Sequence, residues 1–191
     1  MKKHIKKCIA FALIVTIFSF TATALAYNRL GTGKISGGAT GILYYIDSSA
    51  SEYDESIRYG IQHWNGISDN IEVNRTTTKS YSRCDNYWGA YFPSNSGIIA
   101  KTYLILNNVV ITDYDVDWYW CKIKYSSYVF NYDYLDYKHR KGVACHEYGH
   151  FLGLAHNYAS IHNIMWPYGN TCDEEYPSTD DKNGVISIYG S

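Results

Sequence analysis

The sequence predicts an α+β domain. Three observations point to it. Leu43–Thr76 runs strand, helix, strand. Two further helical segments, His139–Leu152 and Ser178–Tyr189, lie late in the chain, with short strand-like runs before them. The 32 aromatic residues, 21 of them Tyr, favour β-structure and interlocking cores. At 191 residues the chain suits one domain with a sizeable core. No internal repeat or dividing linker is visible.

The elements follow in order. Gly31–Gly41 holds five glycines and reads as a flexible lead-in. Ile42–Ile46 is a short apolar run and reads as a strand. Ser51 to about Asn65 reads as a helix: Ser51 can cap it, and Glu52, Asp54 and Glu55 suit its positive end. Gly66 can stop it, and Ile57, Ile61 and Trp64 share one face. Ile71–Thr76 alternates apolar and polar and reads as a strand. Tyr87–Phe92 and Thr102–Ile111 are further strand candidates across the Pro93–Gly97 turn. Thr112–Tyr137, rich in Asp and Tyr, reads as strand fragments and loop. In the final helix Ser178 and Asp181 have capping-box spacing.

The first 26 residues read as a signal peptide. Lys2, Lys3, Lys6 and Lys7 precede the apolar run Ile9–Phe20, and Ala24-Leu25-Ala26 offers small residues for cleavage. The run is shorter than the roughly 20 residues a membrane anchor needs. Exported, extracellular localisation is expected, with no membrane attachment after cleavage. Losing those four lysines takes the net charge from −1 to −5. That acidity excludes a basic nucleic-acid footprint and a polybasic membrane patch. Cys84, Cys121, Cys145 and Cys172 remain after cleavage. In an oxidising compartment they suit two disulfides, with three connectivities open. Sequence proximity favours Cys84–Cys121 and Cys145–Cys172.

The chemistry lies in His146-Glu147-Tyr148-Gly149-His150-Phe151-Leu152-Gly153-Leu154-Ala155-His156. His146 and His150, four apart on a helix, point from one face toward one ion. Gly153 can end the helix in a left-handed conformation and let His156 swing back as a third ligand. Three protein ligands leave one position for water, the arrangement of a catalytic zinc. Glu147, beside the first ligand, is placed as base for that water.

This pattern resembles the metzincin zinc metalloproteases, and specifically a matrixin-like catalytic domain. The motif His-Glu-x-x-His-x-x-Gly-x-x-His is complete. Ile164-Met165-Trp166-Pro167 is similar to the matrixin Met-turn, and Pro177–Gly190 resembles the matrixin C-terminal helix. The resemblance implies a metzincin-like zincin fold over residues 27–191. That fold is a twisted, mostly parallel sheet with an antiparallel edge strand, an active-site helix and a C-terminal helix. It implies a secreted zinc endopeptidase that hydrolyses internal peptide bonds, with His146, His150 and His156 on one catalytic Zn2+ and Glu147 as general base. Met165 would lie under the metal as an apolar floor. Asp180 and Asp181 would tie the final helix to the Met-turn and the mature N-terminus.

Some expectations depart from the family pattern. A second, structural zinc needs upstream histidines. The mature chain has only His63 and His139 there, so that site is expected to be absent. His63 is read as a surface or packed residue of the first helix, His139 as a helix-start residue and His162 as a residue near the Met-turn, none of them on the catalytic metal. Asp113, Asp115 and Asp117 could attract Ca2+, but no Gly-containing calcium loop supports it, and a solvated acidic loop is expected. Arg83-Cys84-Asp85 superficially matches a cysteine switch but lies between elements of the domain.

The expected substrate is a protein or peptide bound to a monomer as an added extended strand. Trp88–Phe92 is the expected edge, because Pro93 suits an edge position. Trp166, Pro167, Tyr168 and Tyr176 would line the pocket beyond the scissile bond, and Tyr168 is a weaker candidate oxyanion donor. The alternative is a non-catalytic secreted zinc-binding or wall-binding module. Glu147 argues against it, because binding alone needs no base.

Overall fold

A computed structural model describes residues 27–130, 135–169 and 174–191. The expected signal peptide lies outside them. A six-stranded sheet carries two helices on one face. The strands are β1 (Ala39–Ile46), β2 (Ile71–Arg75), β3 (Cys84–Gly89), β4 (Ala100–Leu106), β5 (Val109–Val110) and β6 (Trp120–Ser126). Their spatial order is β2-β1-β3-β6-β4-β5. β1, β2, β3 and β6 run parallel, β4 is antiparallel to β6, and β5 pairs only with the end of β4. The mixed sheet and antiparallel edge match the expected α+β architecture.

Alternation sets the two faces of the sheet. Cys121, Ile123 and Tyr125 of β6 are buried and point inward with Ile42, Tyr44 and Val73. Against them pack α1 (Asp54–Gln62) and α2 (Tyr137–Phe151). Ile57, Ile61 and Trp64 enter the core as their spacing requires. Gly60 lets α1 approach α2, since a Cβ there would strike the Lys141 carbonyl. The Trp64 indole donates to the Cys145 carbonyl at 2.9 Å, and the Trp118 indole to that of Phe151 at 2.9 Å.

Several boundaries differ from the sequence reading. The first helix opens with a 3-10 turn, Ser48–Tyr53, capped by Asp47 rather than Ser51: Asp47 Oδ1 accepts from Ser49 N. The segment expected as one strand, Thr102–Ile111, folds back at Asn107 and Asn108, both with positive φ, to form β4 and β5. β6 falls inside the stretch expected as fragments and loop. The lead-in is packed, not flexible. Ile35 is fully buried, and a Cβ on Gly31 or Gly33 would collide with the backbone of Tyr114 or Val116. Asp115 Oδ1 accepts from Thr32 N, and Asp117 Oδ1 from Lys34 N. The acidic loop therefore straps the N-terminal segment down.

α3 (Thr179–Tyr189) carries the expected capping box: Ser178 Oγ accepts from Asp181 N, and Asp181 Oδ2 from Ser178 N. Cys84 and Cys121 stand opposite each other on β3 and β6, both fully buried, as thiols rather than the expected bridge. Cys145 is buried in α2, and its expected partner, Cys172, lies outside the described residues. Among the described residues no helix is long and apolar enough to cross a membrane.

Candidate metal centre

α2 places His146 and His150 one turn apart, with ring centroids 4.7 Å from each other. The helix stops at Phe151, and Gly153 turns the chain at φ 98°. His156 then returns to 5.2 Å from the His146 ring and 4.9 Å from the His150 ring. One ligand atom from each histidine falls within 4.8 Å of the other two. The returning loop is held by the N-terminal segment. Leu30 N donates to the Gly153 carbonyl, Ala155 N to that of Asn28, and Asn28 Nδ2 to that of His156.

Two backbone carbonyls set the tautomers. His146 Nδ1 lies 2.7 Å from the Ile164 oxygen and His150 Nδ1 lies 2.8 Å from the Leu154 oxygen. A carbonyl only accepts, so each Nδ1 carries the proton and each Nε2 keeps a lone pair. Burial pushes His146 well below the usual imidazole range and His150 down to about 4, and it lowers His156 as well. Three neutral imidazoles with free lone pairs fit a borderline-soft divalent cation such as zinc.

Glu147 sits beside them, 5% exposed. Burial raises its carboxyl from 4.5 to about 7, opposed by hydrogen bonds from Thr102 and by the Lys101 charge. Thr102 Oγ1, on β4, lies 2.7 Å from Glu147 Oε2 and 2.8 Å from its backbone oxygen. The single hydroxyl proton can satisfy one of these at a time. Sequence reading singled out neither Thr102 nor the Ile164 and Leu154 carbonyls. No local motif marks Thr102 or Ile164, which meet α2 through sheet and loop packing, whereas Leu154 lies four residues after His150 inside the motif itself.

Met165 is buried against α2. Gly149 makes room for it, since a Cβ there would meet Met165 Sδ and lie 3.0 Å from Trp64. Asp181 secures this turn: Oδ2 accepts from Ile164 N at 2.8 Å and Oδ1 from Met165 N at 3.4 Å. Asp180 accepts instead from Asn157 Nδ2, on the loop after His156.

A cavity of about 430 Å³ opens beside His146, His156 and Glu147. Ile99, Val143, Ile164, Trp166, Pro167 and Tyr168 form its apolar wall. Tyr176, expected there, is not among the wall residues; its ring instead lies against His63, with centroids 4.1 Å apart and planes tilted by 45°. A second cavity of about 320 Å³, bounded by Leu30, Thr102 and Tyr114, meets the histidines from the other side.

The expected substrate edge is also corrected. β3 lies between β1 and β6, so Trp88 is not on an edge, and Tyr91 and Phe92 lie beyond the strand. The open edge beside the histidines is Ala100–Tyr103 of β4, since β5 pairs only with Ile105 and Leu106. Asp136 caps α2 by accepting from His139 N, and His162 Nδ1 lies 2.9 Å from Glu174 Oε1. Neither these nor His63 joins the three histidines. Among the described residues no second cluster of metal-ligating side chains forms.

Comparison with known proteins agrees with this geometry. The family model described as matrixin matches residues 49–190. Matrix metalloproteinase-27 of Homo sapiens is 29% identical over 170 residues, covering 78% of this chain and 28% of the relative. Matrix metalloproteinase-27 of Tupaia belangeri is 27% identical over 168 residues, covering 77% and 28%. The chain thus aligns with under a third of either relative's length.

Proposed function

The chain belongs to the matrixin family, and from that premise we propose that it is a secreted zinc-dependent endopeptidase. His146, His150 and His156 would hold one zinc through Nε2. The observation that carries the reading is a buried carboxylate, Glu147, beside three neutral imidazoles at the mouth of an apolar cavity. A non-catalytic zinc-binding module would gain nothing from that carboxylate.

Bound zinc would polarise the scissile carbonyl and lower the pKa of water toward about 7. The remaining steps belong to the chain. Glu147 accepts a proton from water as its oxygen adds to the carbonyl carbon. When the C–N bond breaks, Glu147 returns that proton to the leaving amine. A base near neutrality is suited to both transfers, and burial is what brings Glu147 there. The substrate backbone adds antiparallel to Ala100–Tyr103, whose outer N–H and C=O groups are open. The residue after the scissile bond enters the cavity walled by Val143, Ile164 and Pro167, which favours an apolar side chain.

Casein digestion with and without a chelator tests this. The expected result is cleavage that a chelator abolishes and zinc restores. Cleavage that persists in a metal-free sample would refute the zinc reading. A zinc-loaded protein that cleaves no protein substrate would return the module reading.

A further inference from the structure

The face of the sheet turned away from α1 and α2 has its own chemistry. Its outward positions are Asp85 and Tyr87 on β3, Trp120, Lys122 and Lys124 on β6, and Lys101, Tyr103 and Ile105 on β4. Register sets them in rows: Tyr87, Lys124 and Lys101 lie side by side, as do Asp85, Lys122 and Tyr103. The lysines lie among rings. Lys124 Nζ is 4.6 Å from the Tyr91 ring and 5.2 Å from that of Tyr103. Lys122 sits 4.6 Å from the Trp120 ring, and Lys79 5.0 Å from that of Tyr87.

Two features of this face call for a ligand. Lys101 and Lys124 are direct partners across an antiparallel pair, and like charges so placed are destabilising. No ion pair joins Lys101, Lys122 or Lys124 to a carboxylate among the described residues. Asp85 is the single acid on the outward positions of β3, β4 and β6. In the neighbouring 113–117 loop, Asp115 and Asp117 are turned to the N-terminal segment, and Asp113 accepts from Asp115 N within the loop. In a chain of net charge −1, this is a concentrated cationic strip.

At the end of the strip a cavity of about 440 Å³ is bounded by Lys79, Ser82, Asp85, Asn107, Asn108 and Trp120. Asp85 is 1% exposed; Oδ2 accepts from the Tyr87 hydroxyl, while Oδ1 is buried without a partner. Uncharged amides and hydroxyls, an indole plate and an acceptor short of a donor suit a polyhydroxylated ring. Sugar hydroxyls donate to carboxylates, and sugar C–H faces pack on indole.

We propose that this face and cavity bind an acidic polysaccharide. The sugar rings lie on Trp120 and Tyr103, hydroxyls meet Asp85, Asn107 and Asn108, and the acidic groups meet Lys122, Lys124 and Lys101. The cation row supplies charge complementarity. The site lies across the sheet from the histidines, so it is independent of the peptidase reading.

The test is titration of tryptophan fluorescence with polygalacturonate and hyaluronan, and with fully methyl-esterified polygalacturonate, which keeps the sugar and removes the charge. Oligothymidylate and polyglutamate serve as polyanions without pyranose rings. An acidic polysaccharide should bind, at least about tenfold more tightly than the ester, and weaken as salt rises. The Lys122→Ser/Lys124→Ser double variant and Trp120→Ala should each bind at least about tenfold more weakly. Both should keep their thermal unfolding midpoints, and Lys122→Arg/Lys124→Arg should restore binding. The proposal fails if neither acidic polysaccharide binds, or if the ester binds equally well. It also fails if oligothymidylate or polyglutamate binds as tightly, or if the folded variants bind like the parent.

Discussion

Replacing Glu147 by Gln should stabilise the metal-free protein, and only above acidic pH. Glu147 is buried, and its carboxyl rises from 4.5 to about 7. In the unfolded chain it ionises near the lower value at no cost. Between the two values the folded state holds a proton that the unfolded state has lost. Stability therefore falls with rising pH over that window and levels off above it. At about 1.4 kcal/mol per pH unit, the full loss is on the order of 3 kcal/mol. Gln keeps the size and can still accept from Thr102, but never ionises. The histidines titrate in both proteins and cancel in the difference. The assay is urea unfolding of chelated parent and Glu147→Gln between pH 4 and pH 8. The difference in unfolding free energy should be constant below about pH 4.5, then rise by about 3 kcal/mol in favour of the variant by pH 8. A difference that stays flat across this range would show that Glu147 is not raised by burial, and the account of its basicity would fall.

Other consequences are measurable separately. With zinc loaded, Glu147→Gln should lose at least about 10²–10⁴-fold in peptidase activity while elemental analysis still finds one zinc per chain; loss of the metal would make Glu147 structural. His156→Ala should release most of the zinc, and retention would mean another side chain supplies the third ligand. Thr102→Val removes a hydroxyl from a buried carboxylate and should lower activity about tenfold or more, with the acid limb of the pH–rate profile moving upward; an unchanged profile would sever Thr102 from Glu147. Gly149→Ala forces a Cβ into Met165 and Trp64 and should cost about 1–3 kcal/mol by urea unfolding; parental stability would show that Met165 is free to move away. Mass spectrometry of unreduced protein, alkylated after unfolding, should find Cys84 and Cys121 as two alkylated thiols, and a linked Cys84–Cys121 peptide would overturn that assignment.

Much of the site was written in local sequence. Ligand spacing on a helix is a one-turn relation, so His146 and His150 needed no tertiary information to be placed together. Gly153 belonged to the same reading, because a left-handed residue at that position is a backbone requirement. Ser178 and Asp181 were equally local, since a capping box closes within one turn. What escaped was non-local. Six residues of β6 alternate cleanly, yet the Asp- and Tyr-rich flanks obscure the period in a wider window. Pro93 marked an edge by composition, but strand order is decided by crossovers, which put β3 inside the sheet and left β4 outside. The glycines before β1 looked like freedom and proved to be room for close approach, a distinction that depends on which backbone lies opposite.

The sequence by itself determined the spacing of the three histidines, the carboxylate beside them, the Ser178–Asp181 capping box and the α+β class, because each rests on contacts within a few residues or on composition. Only the tertiary structure decided the rest. It brought Thr102 to Glu147, the Ile164 carbonyl to His146, Asp181 to the Met165 turn, and the lysines and rings into rows on the outer face. Those contacts join residues up to 45 apart, for example Thr102 and Glu147. Their geometry follows from which strands pair and in what register, and that is settled by packing the whole core at once rather than by any segment's own preference.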